Sequence, residues 1–218
     1  CITRVPSWDA AGGERFSPEQ MAKTAAGAVE NGARSIMILG GEPTLHIPAV
    51  LEFISHLPEG VHLIWKTNGH GSQVARDLLD GLFDCWVVDY KFGSDLCAQR
   101  LAGIGNYRDS VHENLFWAAS HSYLIVRHLV MPGHVECCWR PVAAWLCEHL
   151  PGVQVNLRTA FWPMQAKKGF GELSRVVGAF GVERELERLL AGSDPLGDQF
   201  WRAACNLPQR QLFRPLEI

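Results

Sequence analysis

Two glycines, a glutamate and a proline interrupt the apolar stretch SIMILGGEPTLH at residues 35–46, placing a carboxylate where a strand should run out into an ordinary loop. Pro43 biases the backbone at Glu42 towards extended conformations, and Gly40 and Gly41 leave room for a ligand to come close to the chain. The pattern recurs. VHLIWKTNGH carries Lys66, Thr67 and Asn68, DCWVVDYKFGSD carries Asp89 and Lys91, and YLIVRHLVMPGH carries Arg127 and His128. Carboxylates that accept from an amino group, cations that donate to a carboxylate, and small neutral hydrogen-bonding groups occur together, which suits a zwitterionic ligand. Each group also has a plain structural explanation. Asp89 and Lys91, two apart on a strand, face one side and could pair with each other. Arg127 could pair with a helix acid, and Thr67-Asn68-Gly69 is a common turn composition. His128 alternates with Arg127, so only one of them faces a common pocket. None of these readings explains four successive strand ends of the same kind.

The elements that must position these residues alternate regularly. Ser17-Pro18-Glu19-Gln20 reads as a capped helix start that runs to Asn31-Gly32. Strands are expected within 34–41, 61–70, 84–95, 123–134 and 153–163, and helices over 49–57, 72–82, 110–121 and 137–150. Short apolar strands alternating with helices imply a parallel sheet with helices outside it. The expectation is an α/β fold, a partial (β/α)6 TIM-like barrel with a further strand ahead of Cys1; an open doubly wound sheet is the alternative. In either arrangement the carboxyl ends of the strands face one crevice. The barrel is expected over residues 1–163, with 164–218 forming a helical extension and tail.

Composition narrows the class. With 218 residues, 47% hydrophobic, the chain can bury a substantial core. A net charge of −3 without a basic run gives nucleic-acid binding no support, and no apolar run approaches the roughly 20 residues of a membrane span. The seven cysteines, an odd number, fit a reduced cytoplasmic protein in which most are core residues. Cys85 falls within a buried strand and Cys137-Cys138 at a helix start, while Cys97, Cys147 and Cys205 read as core or surface. The nine histidines form no HxH or HExxH pattern. His70, His128 and His134 fall at strand ends and could line the pocket. Trp8 and Trp162 flank its mouth, whereas Trp139 and Trp145 read as packing residues.

GGEP (40–43), TNG (67–69), DYK (89–91) and VRHLVMPGH (126–134), in this order, resemble the radical S-adenosylmethionine superfamily, in particular the branch containing pyruvate formate-lyase activating enzyme. The resemblance covers roughly residues 1–163. It implies a barrel in which a CxxxCxxC loop holds a [4Fe–4S] cluster by three thiolates. The open iron binds S-adenosylmethionine, whose reductive cleavage generates a 5′-deoxyadenosyl radical that abstracts a hydrogen from substrate. Cys1 would be the third cysteine of that loop, so that this chain begins within it. Gly40, Gly41, Glu42 and Pro43, Thr67 and Asn68, Asp89 and Lys91, and Arg127 with His128 would surround the cofactor. Glu42 would accept from its amino group, and Arg127 would contact its carboxylate or ribose. Lys66 stands where formate-lyase activators have an acidic residue that helps bind a monovalent cation, and its ammonium would replace that cation beside Asp89.

The function expected is therefore that of a radical S-adenosylmethionine iron–sulfur enzyme, an oxidoreductase by chemistry. Its partners would be a reductant such as flavodoxin or ferredoxin and a small-molecule, protein or peptide substrate, with no nucleic acid and no membrane. Two other classes remain open: a cluster-free barrel that binds a nucleotide or partner protein, and a metal-dependent barrel hydrolase built on the histidines and carboxylates.

Overall fold

The computed structural model describes residues 14–131 and 133–158. Cys1, Trp8 and Trp162, the expected boundary at residue 163 and the extension over 164–218 lie outside the described residues. The elements follow in order as α1 (Pro18–Glu30), β1 (Ser35–Ile38), a 3-10 turn (Pro43–His46), α2 (Ile47–Ser55), β2 (His62–Thr67), α3 (Gln73–Leu79) and β3 (Cys85–Asp89). Next come α4 (Asp95–Ala102), α5 (Tyr107–His121), β4 (Tyr123–Leu129), a π-helical turn (Val135–Trp139), α6 (Arg140–His149) and β5 (Gln154–Arg158). The capping box at Ser17 forms as its spacing demands: Gln20 N–H donates to Ser17 Oγ at 3.1 Å, and Ser17 N–H donates to Gln20 Oε1 at 2.8 Å.

All five strands are parallel, and their spatial order is β1-β2-β3-β4-β5. Sequential order is the winding of a barrel. A doubly wound sheet reverses direction at a switch point, and none is present among these strands. The described strands thus form one α/β sheet, flanked by helices, of the partial-barrel kind.

The register sorts side chains into two faces. Trp65 pairs with Trp86, and Trp86 with Leu124, while Thr67, Val88, Val126 and Val155 continue the same face one step nearer the carboxyl ends. Helices cover this face. Trp86 meets Trp117 of α5 with ring centroids 5.0 Å apart, and Trp65 meets Phe83 at 4.9 Å. Val88, Val126, Val111 and Leu115 are wholly buried, each contributing on the order of 1.5–3 kcal/mol by leaving water. The opposite face carries Lys66, Asp89 and Arg127, which remain partly accessible. Trp139 and Trp145 are buried in the core.

Helix α4 does not appear in the sequence-based expectation, which takes its cap Ser94 and first residue Asp95 as the end of a strand. Its signals are local: Ser94 Oγ accepts from Cys97 N–H at 3.2 Å, and Gly103 ends the helix at φ 70°.

Two histidines, the buried His128 and the half-buried His112, are held in surroundings that favour the neutral ring. His128 Nδ1 donates to the Tyr90 carbonyl at 2.7 Å, and its Nε2 is buried without a hydrogen-bond partner among the described residues. His112 stacks on Trp145 at 3.8 Å and meets the Tyr90 hydroxyl at 2.6 Å. Burial pushes both imidazoles down from the ordinary 6.5 to about 4; the Arg108 cation adds to the effect on His112, and the Tyr90 carbonyl opposes it on His128. Between those pH values the unfolded chain takes up protons that the folded chain refuses. Stability is therefore intact above about 6.5 and falls as pH drops towards 4, by up to about 1.4 kcal/mol per pH unit for the buried His128 and by less for the half-buried His112, whose charge water screens. Urea unfolding midpoints should fall through this window. His128→Gln, which keeps a donor for Tyr90 but cannot titrate, should flatten the slope by about one proton; an unchanged slope would mean that His128 does not control it.

Candidate functional site

The first strand end is organised around the Glu42 carboxylate. Glu42 is extended, at φ −139° and ψ 112°, as a residue preceding proline should be. Its Oε1 accepts from Thr44 Oγ1 at 2.6 Å and from Thr67 Oγ1 at 2.7 Å, with Thr44 N–H at 3.4 Å. Its Oε2 accepts from Asn68 N–H at 2.8 Å. One carboxylate thus ties the 3-10 turn after β1 to the end of β2. With two acceptor positions on each oxygen, Oε1 is filled and, among the described residues, Oε2 keeps one for a further donor. Glu42 is half-buried and Pro43 buried; Gly40 takes φ 44°, and open space lies above Gly41. Asn68 Oδ1 accepts from His70 N–H at 2.8 Å, the Asx turn that its composition suggests. Gly69 then takes φ 78°, and a Cβ there would stand 2.8 Å from Val88 Cγ1.

On the adjoining strands, Asp89 is gripped by two cations. Lys66 Nζ stands 3.1 Å from Asp89 Oδ2, and Arg127 Nε 3.4 Å from Asp89 Oδ1. The register produces this directly: Asp89 pairs with Arg127, and Lys66, which pairs with Val87, lies two residues short of the same row on β2 and so on the same face. Asp89 thus pairs with Lys66 and Arg127 in place of Lys91, its neighbour two residues on. Lys91 is exposed, and its backbone N–H donates to the buried Tyr107 hydroxyl at 2.7 Å. Asn156 of β5 follows Arg127 in the same row. Glu42, Thr67, Asn68, Asp89 and Arg127 therefore all stand at the carboxyl ends of four adjacent strands, in two groups: Asn68 and the buried, helix-facing Thr67 on the Glu42 carboxylate, and Arg127 with Lys66 on Asp89 at the opposite face. His128 does not join them. It lies on the helix-facing side, 1% exposed, beside Trp139 at 5.1 Å. Cys1 lies outside the described residues.

Supporting residues emerge that the sequence does not single out. Thr44 shares Glu42, Tyr107 holds the backbone after β3, and Asn114 Nδ2 donates to the Gly71 carbonyl at 2.9 Å, fastening the loop after β2. Only Thr44 carries a local signal, as the residue that directly follows an extended Glu-Pro step. The other two act across α5, beyond any local pattern.

The larger omission concerns the cysteines. Cys97, His134, Cys137 and Cys138, read separately as core, surface or pocket residues, come together with ligand atoms all within 4.8 Å of one another. Burial raises the Cys138 and Cys137 thiols above the ordinary value, with Cys97 adding to both. Neither is a ready thiolate nucleophile at neutral pH. Cys85 is buried in β3, where burial and then Asp84 push its thiol up to about 11.

With this geometry in hand, comparison with known proteins places the fold. The chain is similar to the crystal structure of a domain of pyruvate-formate lyase-activating enzyme from Bacteroides vulgatus, with a TM-score of 0.52 and 15% identity over 80% of this chain and 94% of that one. It is also 28% identical over 172 residues to the uncharacterized protein MJ0674 of Methanocaldococcus jannaschii, covering 79% of this chain and 50% of that protein. The chain thus spans about half the length of that relative. No protein-family model matches the chain. Among the described residues, no helix is long and apolar enough to cross a membrane.

The Glu42 brace makes a stability prediction that needs no ligand. Thr67→Val removes a buried donor to a charged acceptor and should cost about 1.5–3 kcal/mol in chemical denaturation. Gly69→Ala should also destabilise, because it combines a left-handed φ with the clash against Val88. Wild-type stability in both variants would show that the brace and the turn carry no load.

Proposed function

We propose that the carboxyl edge of this sheet binds S-adenosylmethionine and that the chain is part of a radical S-adenosylmethionine enzyme. The observation that carries the reading is the placement of Glu42, Thr67, Asn68, Asp89 and Arg127 at adjacent strand ends of a sequentially wound parallel sheet. The open acceptor position on Glu42 Oε2 suits the ligand's amino group. Arg127, held by Asp89 and therefore oriented, offers its guanidinium to a carboxylate or to ribose hydroxyls. Open space above Gly41 admits the ligand to the Glu42 turn. These residues fit a zwitterion that presents an ammonium and a carboxylate a few bonds apart.

In this reading Cys1 holds one iron of a [4Fe–4S] cluster, and a flavodoxin- or ferredoxin-like protein delivers the electron. When bound, the cluster supplies the one-electron reduction that splits the sulfonium. The chain's own residues bind and orient the ligand. Lys66 neutralises Asp89 from the side opposite Arg127, as a bound monovalent cation would, so the site needs no added potassium or sodium. Likeness in fold to an activating-enzyme domain supports the reading without transmitting a substrate.

The test is anaerobic reconstitution of the full-length protein with iron and sulfide, followed by reduction in the presence of S-adenosylmethionine. Equal amounts of 5′-deoxyadenosine and methionine are expected, with no response to added potassium. Arg127→Ala and Asp89→Ala should weaken binding of S-adenosylmethionine by roughly 10–100-fold, the equivalent of one charge-assisted hydrogen bond, without loss of the brown colour. A protein that stays colourless, or that acquires a cluster but neither binds nor cleaves S-adenosylmethionine, overturns the proposal. A rise in turnover with potassium would remove the role given to Lys66.

A further inference from the structure

The group formed by Cys97, His134, Cys137 and Cys138 lies apart from the row of Lys66, Asp89 and Arg127. Its turn packs over His128, on the helix-facing side of β4. Cys97 Sγ is 3.6 Å from Cys137 Sγ and 3.7 Å from His134 Nδ1; Cys137 Sγ and Cys138 Sγ lie 3.3 Å and 3.8 Å from the same nitrogen. A tetrahedral zinc ion, with Zn–S near 2.3 Å and Zn–N near 2.0–2.1 Å, has edges of about 3.6–3.8 Å between its ligand atoms. We propose that these four residues bind one zinc ion in a closed Cys3His site that staples the β3–α4 connection to the turn after β4.

The backbone is arranged to bring the four together. His134, Cys137 and Cys138 are spaced i, i+3 and i+4 around a π-helical turn, in which both Cys138 N–H and Trp139 N–H reach the His134 carbonyl. Cys97 is in the first turn of α4, where the Ser94 cap holds its N–H at 3.2 Å. The chain before α4 must come very close to the π-turn, and it does so at Gly93. A Cβ there would stand 2.2 Å from the Cys138 carbonyl oxygen and 2.8 Å from its Cα, so no other residue fits.

Other uses of the four residues fit less well. A disulfide needs sulfurs about 2.05 Å apart, whereas Cys97 and Cys137 stand 3.6 Å apart. A cubane cluster places each thiolate on a different iron around an inorganic core; ligand atoms this close leave no space for that core. Three thiolates with one imidazole select a soft ion such as zinc over hard cations. Cys97, His134 and Cys138 are buried and Cys137 half-buried. All four corners are protein atoms, which marks a structural rather than a catalytic site. Binding replaces thiol protons, releasing up to three, and leaves Zn(Cys)3(His) with one net negative charge. The metal would then fix the connection that carries Lys91 against the strand that carries Arg127.

The test begins with full-length protein expressed in zinc-supplemented medium. About one zinc per chain should survive gel filtration, and zinc-edge absorption should report three sulfurs at about 2.3 Å and one nitrogen at about 2.0 Å. An organomercurial titrated into the unmodified protein should release that zinc, a readout that needs no variant to fold. The double variant Cys97→Ser, Cys138→Ser should lose zinc affinity by roughly ten-fold or more, and His134→Cys, which keeps four ligands, should retain it. Zinc below about a tenth per chain overturns the proposal. So does full retention by the double variant, iron bound by these four residues, or a Cys97–Cys137 disulfide in the alkylated digest.

Discussion

Parallel pairing in sequential order is the constraint from which the rest follows. Each strand must return to the same starting edge through a helix, so every carboxyl end, and every connection leaving it, lies on one side of the molecule. Registration then decides which side chains meet: Asp89 falls opposite Arg127, Lys66 lies two residues short of that row on the preceding strand, and Asn156 continues the row. The alternation of side chains about each strand sends the neighbours of these residues, Thr67, Val88, Val126 and Val155, into the helix-covered core. A shift of one residue in any strand would exchange the two sets and place charges under α3 and α5. The apolar demand of that core is therefore what holds the charged row in place.

A second layer of organisation lies in the connections, which buried and half-buried polar contacts tie to the sheet. Glu42 links the turn after β1 to β2, Asn114 ties down the loop after β2, Tyr107 holds the backbone after β3, and His128 reaches the Tyr90 carbonyl from β4. Each satisfies a backbone group that would otherwise lie unpaired in a region of low dielectric, where the cost of an unmade hydrogen bond is highest. A metal at Cys97, His134, Cys137 and Cys138 would complete this series by linking the connections after β3 and β4. The polar edge would then rest on loops fixed at every strand.

The five strands and the first five sequence-expected helices are legible because apolar periodicity and caps such as Ser17-Pro18 are local signals. Their observed bounds differ from expectation mainly at the ends. The placement of Glu42, Thr67, Asn68, Asp89 and Arg127 is legible for a related reason: given parallel strands, position at the carboxyl end is enough to place a residue. Helix α4 is missed because its short sequence follows a strand without a loop of obvious length, although Ser94 and Gly103 mark both ends. The fates of Arg127 and His128 need one further fact, which face the helices cover, and sequence alternation shows only that they differ.

The sequence by itself determines the order and type of the elements, the chemistry at each strand end and the resemblance those residues carry, since all of these depend on neighbours within a few positions. Tertiary structure decides which partner each polar group takes. Asp89 takes Lys66 and Arg127 where local spacing offers Lys91, and Glu42 takes two threonines and a backbone N–H while keeping one acceptor position open among the described residues. It also decides that Cys97 joins a histidine and two cysteines nearly forty residues further on. Such contacts are fixed by strand register and by the closeness of two connections at Gly93, and those distances are set only when the whole sheet has assembled.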